Sequence, residues 1–437
     1  MTRMKESGID WIGQIPEEWE VSKLEHYVDI FGRIGFRGYT TNDIVNEGEG
    51  AISYSPSNII DYSVIDNNNT YISWSKYDES PEIQIKTGDV LYVKTGSSYG
   101  KTGIVNKLSN KATINPQLVV LKPKKNTDSR LINYFLNSSV GKEQSELIVG
   151  GSTIPTITQE SIKKMIFPKI SFEEQQKIAD FLDKKTAQLN KVKNLLEEQI
   201  QKLKDYRASL IYETVTKGLD KTVPMKDSGI DWIGQVPEGW GVKPLKYLIK
   251  FKNGYAFDSK HLTMEQTGVK VIRIGDFKSS GIDFNASLNV FTSFNSKLDF
   301  YRIRKSQILI AMSGATVGKI SFVNQEPNVY SVINQRVGII ESEINKWIYY
   351  CLSTDSFMSY IQLNSNGSAQ PNISSGEISD FKVAIPDDVV IQKCVKYLDN
   401  QLESINKLIQ IKNQQIENIN KQRQTLIYDY VTGKRRV

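Results

Sequence analysis

The chain is poor in the residues on which many enzymes and secreted proteins rely. Its 437 residues include two cysteines, Cys351 and Cys394, and two histidines, His26 and His261. Two cysteines cannot build a disulfide framework or a Cys-rich zinc site, and two histidines exclude a His-rich metal centre. No apolar run approaches the length of about 18 residues that a membrane span needs. The opening Met1-Thr2-Arg3-Met4-Lys5-Glu6 lacks the apolar segment of a secretory signal. The acidic residues show no metal-ligand spacing, and neither an Asn-Pro-Pro-Tyr nor an Asp-Pro-Pro-Tyr motif for amino-methyl transfer occurs. These absences predict a cytoplasmic, reduced, non-catalytic protein with no metal or cofactor of its own.

Two further absences are local. Between residues 172 and 216, and again between 388 and 432, there is neither Gly nor Pro. In the first of these tails Leu182, Leu189, Leu196, Leu203 and Leu210 recur every seven residues, with Ile178, Val192 and Tyr206 falling between them. In the second the row is Leu398, Ile405, Lys412, Ile419 and Leu426, with Leu408, Ile411 and Ile416 beside it. Such rows make a heptad seam. A helix of this length extends about 67 Å and, with so narrow a seam, needs a partner; the other tail is the obvious one. Because compact domains hold their ends close together, the second helix should run back along the first, as an antiparallel pair.

What is present is a duplication. Residues 4 to 21, MKESGIDWIGQIPEEWEV, return as residues 225 to 242, MKDSGIDWIGQVPEGWGV. Gly96-Ser97-Ser98-Tyr99-Gly100-Lys101 answers Gly314-Ala315-Thr316-Val317-Gly318-Lys319, and Ile114-Asn115-Pro116-Gln117 answers Ile333-Asn334-Gln335-Arg336. The order is the same in both halves, so one unit occurs twice. Each unit opens with a strand-rich head. Apolar runs at residues 89–93, 117–121, 163–167, 307–311 and 337–340 read as strands, and residues 129–138 and 345–352 as helices. The tryptophans Trp11, Trp19, Trp232 and Trp240 read as packing residues rather than base-stacking ones.

The net charge of +6 says little by itself, but its distribution is uneven. Residues 90 to 125 hold seven lysines and no acid; residues 300 to 325 hold Arg302, Arg304, Lys305 and Lys319 and no acid. Phosphate neutralisation requires such a stretch, and an ordinary solvated basic surface would look the same. The Gly-Lys segments resemble a phosphate-binding loop, but three residues rather than four separate the glycines, and Ile320 stands where a magnesium-binding hydroxyl would be. A Gly-rich turn between strands, able to meet a DNA phosphate or base edge, fits better.

A basic strand-rich head followed by Pro-x-x-x-x-x-x-Gln and a long helix, given twice, resembles the specificity subunit of type I restriction–modification enzymes. The residues that carry the resemblance are Pro168 through Asp183, Pro386 through Asp399, and the Gly8-Ile9-Asp10-Trp11-Ile12-Gly13 opening with Pro16 and Trp19, also present twice. Pro386-Asp387-Asp388-Val389-Val390 departs from the usual pattern at the start of the second helix. The resemblance implies two α+β target-recognition domains, residues 1–168 and 221–386. Two antiparallel coiled-coil helices, residues 169–220 and 387–437, would join them with pseudo-twofold symmetry. It implies that each head reads one half of a bipartite, asymmetric site on double-stranded DNA. The helices would set the spacing, at most roughly 20 base pairs at 3.4 Å each, and dock two methyltransferase subunits, to which restriction subunits are added. S-adenosylmethionine, ATP and magnesium would belong to those partners.

The residues expected at DNA in the first head are Arg33, Arg37, Lys94, Ser97, Ser98, Tyr99, Lys101, Asn115 and Gln117. In the second they are Tyr255, Lys260, Arg273, Lys278, Thr316, Lys319, Gln335, Arg336, Gln370 and Asn372. Arg and Lys suit guanine edges, and Asn and Gln suit adenine. The coiled-coil and docking rows are Ile178, Leu182, Leu189, Val192, Leu196, Leu203 and Leu210 with Leu398, Ile405, Leu408, Ile419 and Leu426. A coiled-coil scaffold whose heads bind proteins is the alternative from another class, and a related modification system with different cleavage logic is a third.

Overall fold

The computed structural model describes residues 3–33, 35, 38–151, 153–265, 268–278, 281–282, 284, 290–365 and 371–437. It divides into two compact units. Unit 1 is Met1–Leu196 with Asn413–Val437, and unit 2 is Glu197–Lys412. Each therefore combines one head with part of both long helices.

The central strands of each head are apolar at every position because both faces are covered. In unit 1 the strand Val90–Val93 lies between Leu118–Pro123 and Thr102–Ile104, antiparallel to both, in a six-stranded sheet. Successive side chains of a strand point to opposite faces. Accordingly Val90, Tyr92, Val119 and Leu121 enter a core with the helices Ser129–Asn137 and Ser139–Ile148, whereas Leu91, Val93, Leu118 and Val120 enter a second core against a four-stranded sheet. Unit 2 repeats this arrangement. Ile308–Ala311 pairs antiparallel with Val337–Glu341 and Ile320–Phe322; Ile308 and Ile310 face one core, Leu309 and Ala311 another. The strand expected at residues 163–167 starts late, at Ile166, because Thr158 accepts from the Ser161 amide and caps a helix over Gln159–Lys163.

The long helices span Phe172–Lys217 and Asp388–Val431. Ser171 caps the first, its hydroxyl accepting from the Glu174 amide at 3.2 Å, and Asp387 caps the second, accepting from the Val390 amide at 2.9 Å. The unusual acids after Pro386 thus supply a cap that also suits the positive end of a helix. In unit 1 Ile178 and Leu182 share a core with Ile427, Tyr430 and Val431; in unit 2 Leu210, Ile211 and Val215 share one with Ile391, Cys394, Leu398 and Leu402. Within each unit the residue numbers rise along one helix as they fall along the other, so the pair is antiparallel.

The seam departs from the expected rows. Its second row runs through Thr186, Lys193, Ile200 and Arg207, four positions after the leucines, so Val192 falls outside it and is 47% exposed. Leu408 is exposed for the same reason, and half-buried Ile409 takes its place. Leu189, Leu196, Leu203, Ile419 and Leu426 are half-buried, while Ile178, Leu182, Leu210, Leu398 and Ile405 are buried.

Two devices tie each head to its helices. Tyr134 donates to Asp183 at 2.7 Å while Arg130 pairs with Asp180 and Asp183; in unit 2 Tyr350 donates to Asp399 at 2.5 Å beside the Lys346–Asp399 ion pair at 2.6 Å. Burial first, and then the adjoining carboxylate, raises both phenols above their ordinary pKa. The second device is the Ile-Asp-Trp-Ile-Gly opening. Each copy forms a two-stranded hairpin, Met4–Glu6 with Gln14–Pro16 and Met225–Asp227 with Gln235–Pro237, and buries Trp19 or Trp240. Trp240 meets Trp347 edge-on, and Trp232 stacks on Phe381 at 4.9 Å, which bears out the packing role of these tryptophans.

Each hairpin receives a helix end. Gly433, at φ 72°, stops the second helix against Pro16 and Trp19, where a Cβ would lie 2.5 Å from Pro16; Gly218, at φ 69°, stops the first against Trp240, with 2.9 Å. A side chain at either position is both strained and crowded. Gly433→Ala is expected to cost about 1–3 kcal/mol and Gly218→Ala less, read as a lowered Tm; an unchanged Tm for Gly433→Ala would contradict this packing.

Candidate nucleic-acid interface

Three loops of each head converge through main-chain hydrogen bonds that the two copies share. In unit 1 the Gly-Lys turn closes on itself, Tyr99 N to Gly96 O at 3.1 Å and Lys101 N to Ser98 O at 3.2 Å; in unit 2 the same bonds join Val317 to Gly314 and Lys319 to Thr316, both at 3.0 Å. The second loop is an Asx turn: Asn115 Oδ1 accepts from the Gln117 amide at 3.0 Å, and Asn334 Oδ1 from the Arg336 amide at 3.0 Å. It meets the base of the first through Lys94 N to Gln117 O and Met312 N to Arg336 O. The third loop reaches the turn through Gly96 N to Pro155 O and Gly314 N to Pro371 O, and its bridges pair Thr95 with Thr156 and Ser313 with Asn372. The glycines allow this closure: Gly96, Gly100, Gly314 and Gly318 all have positive φ.

These loops gather Lys94, Ser97, Ser98, Tyr99, Lys101, Asn115 and Gln117 in unit 1, and Thr316, Lys319, Gln335, Arg336 and Asn372 in unit 2. Ser97, Gln117, Lys319, Gln335, Arg336 and Asn372 are exposed; Lys94, Ser98, Tyr99, Lys101, Asn115 and Thr316 are half-buried. Thr316 turns its hydroxyl inward, donating to Ile274 O at 3.1 Å. Asn115 and Gln117 also join through their side-chain amides at 3.1 Å. Among the described residues neither Lys101 nor Lys319 carries an ion pair, and Lys319 is the more exposed of the two.

Arg273 and Tyr255 flank this cluster in unit 2. Asn334 N bonds Ile272 O at 3.0 Å, which places Arg273 at the base of the Asx turn, and Tyr255 forms a bridge to Asn334. The Tyr255 ring rests against Phe257 and Tyr301. Lys260 stands exposed in the turn Ser259–His261, and Lys278 donates weakly to Gly275 O at 3.5 Å.

The structure overturns one expected contact. Arg33 is 5% exposed, donates to Ile114 O at 3.1 Å and to Thr113 Oγ1 at 3.2 Å, and lies over the Tyr39 ring. Burial lowers its pKa from the usual arginine value. It is turned inward onto the strand Ala112–Ile114 rather than displayed at the surface. Arg37 and Gln370 lie outside the described residues. One position was missed: the unit 1 turn Ser55–Asn58 matches Arg273–Asp276, each closed by a side-chain oxygen on the main-chain amide three residues back. It puts exposed Ser57 near Asn115, whose amide bonds Tyr54 O. The repeat carries Arg273 onto Ser55, the residue that opens this turn.

The basic stretches are less bare in space than along the chain. Lys122 pairs with Asp89, Lys124 with Asp29, Arg302 with Glu326 and Arg304 with Asp299, and Lys111 lies over the Trp74 ring.

The model of the type I restriction modification DNA specificity domain matches residues 16–202 and again 237–418. The chain is 24% identical to the MjaVIII type I specificity subunit of Methanocaldococcus jannaschii, over 97% of this chain and 94% of that one. It is 23% identical to the EcoBI specificity subunit of Escherichia coli, over 64% and 61%. A chain in a solved structure of a type I restriction–modification system has a similar fold, with a TM-score of 0.69 and 14% identity over 95% of this chain and 98% of that one. With two matches that together cover most of its length, the chain belongs to the family of type I restriction modification DNA specificity domains and carries that domain twice.

Proposed function

We propose that each head of this type I specificity protein reads one half of an asymmetric, bipartite site on double-stranded DNA through the three converging loops. One observation carries this reading. Among the described residues the two copies join these loops by the same main-chain bonds and change the side chains displayed: Ser97-Ser98-Tyr99 against Ala315-Thr316-Val317, and Pro116-Gln117 against Gln335-Arg336. Shared backbone contacts position, and differing side chains specify. The chain itself is non-catalytic in this reading. Two methyltransferase subunits dock on the helix pair and restriction subunits join the complex. S-adenosylmethionine, ATP and magnesium are bound by those partners. The helix pair sets the distance between the half-sites.

The lysines supply the sequence-independent term. Lys101→Ala and Lys319→Ala should each weaken binding to all duplexes alike and reduce the slope of log K against log salt by about 1. A slope that both variants leave unchanged would remove the Gly-Lys turns from the interface. Arg33→Ala should instead lower the Tm, by about 1–3 kcal/mol of stability, without a comparable change in slope. Replacing residues 225–386 by the head of another specificity protein, and sequencing the methylome of cells that express the chimera with a methyltransferase partner, should change one half of the methylated motif and leave the other. A change in both halves would contradict independent reading.

A further inference from the structure

The first head is held to the long helices at a point beyond the Tyr134–Asp183 tie. The hairpin of Ile59–Ile60 and Ser63–Val64 carries Asp61 and Tyr62 at its tip, both in the left-handed region at φ 49° and 68°. Non-glycine residues keep that conformation only where surrounding contacts hold it, and here the helices supply them. The Asp61 carboxylate pairs with Arg423 Nη2 at 2.5 Å and accepts from Asn190 Nδ2 at 3.0 Å. Arg423 Nη1 donates to Asn190 Oδ1 at 2.8 Å, and its guanidinium lies 4.3 Å from the centre of the Tyr62 ring. Arg423 is thereby buried.

The same hairpin reaches the Gly-Lys turn. Tyr62 O accepts from Ile104 N at 3.0 Å and from Asn133 Nδ2 at 2.8 Å. Asn133 Oδ1 accepts from Thr102 Oγ1 at 2.9 Å, and Asn137 Nδ2 donates to Thr102 O at 3.2 Å. Thr102 directly follows Lys101, and Asp61, Tyr62, Tyr99 and Lys101 line one cleft of about 440 Å³. A continuous polar relay thus runs from Arg423 on the helix to the turn. Its members Thr102, Asn133 and Asn137 are all buried. The repeat puts Ile320, Tyr349 and Ser353 at the matching positions; Ile320 has no polar side-chain atom, and the Tyr349 ring lies 5.4 Å from that of Phe322. Unit 2 builds the same fold without these three polar side chains, whose burial is costly unless each is paired. The fold does not require the relay, and what the relay adds is orientation.

We propose that Arg423 is a positioning residue: through Asp61 and Tyr62 it fixes the angle at which the first head presents its Gly-Lys turn, and so narrows the half-site spacing that the protein accepts, an inference that rests on the bipartite reading above. Asp183 and Asn190 stand seven residues apart on one helix, about 10 Å along its axis. A single tie leaves the head a pivot. Two ties at that separation remove it.

The test titrates the complex of the full-length chain and its methyltransferase subunits with labelled duplexes. These carry the motif that the wild-type complex methylates, with the spacer unchanged or one base pair longer or shorter. Wild type should prefer the unchanged spacer by about tenfold or more, the scale of one mismatched base pair. Arg423→Ala and Asp61→Ala should each shrink that preference several-fold, while a base substitution inside the first half-site costs the same factor as in wild type. The double variant should shrink it no further, because both changes break one linkage. Asp61, with a side chain 41% exposed, keeps the test decisive where Arg423→Ala fails to fold. An equal loss of affinity at every spacer length, with the preference intact, assigns Arg423 to stability alone and overturns the proposal. So does a double variant whose effect is the sum of the two. A wild-type complex indifferent to spacer length overturns the bipartite reading itself, and the proposal with it.

Discussion

The fold depends on the inability of two long, narrow-seamed helices to bury their apolar residues alone. A row of one residue in seven, with polar residues interrupting the second row, does not supply enough apolar surface for a helix of more than forty residues. The ends of the helices therefore carry the burial, and they carry it jointly with the heads. Ile178, Leu182, Ile427 and Val431 lie in the same core as Trp19, Phe135 and Phe167. Leu210, Val215, Leu398 and Leu402 lie in the same core as Trp240, Trp347 and Phe381. A head and its helix ends form one packed body, so the carboxylates at Asp183 and Asp399 can set how that head leans on its helices.

Much of this was legible because the physics is local. Apolar runs such as Val90–Val93 and Ile308–Ala311 announce strands covered on both faces. The long stretches free of Gly and Pro announce the helices, and the repeated opening announces its packing role through Ile and Trp. The phase of the seam was less legible, since Thr186, Lys193 and Arg207 occupy positions that periodicity assigns to apolar neighbours. Thr186 is tolerated there because its hydroxyl donates to Leu182 O and meets the Tyr134 hydroxyl. Val192, one position away, catches the eye of a heptad count but faces out.

The candidate interface divides in the same way. The Gly-Lys and Asn-x-Gln segments were found because duplication marks them, and main-chain geometry brings them together. Arg33 misled because exposure is a tertiary property: a strand carbonyl and a threonine hydroxyl, both remote in sequence, join the nearby Tyr39 ring in surrounding it. Charge windows mislead for a related reason. Asp29, Asp89, Asp299 and Glu326 lie outside the basic stretches or beyond their edges and return to neutralise them. Among the described residues Lys101 and Lys319, on the tight turns, are left without an ion pair, although Glu146 and Asp355 line the same clefts.

The docking of Gly433 on Pro16 and Trp19 bears on the order in which the protein is built. Unit 2 is one continuous segment, so all of its parts have been synthesised once residue 412 has emerged. Unit 1 is interrupted: its first 196 residues wait for residues 413–437, and Ile427, Tyr430 and Val431 belong to its core. The part translated first is the part completed last, which leaves the apolar socket around Trp19 open throughout translation of the second half. Domains generally fold as they emerge, and here the second repeat can close before the first.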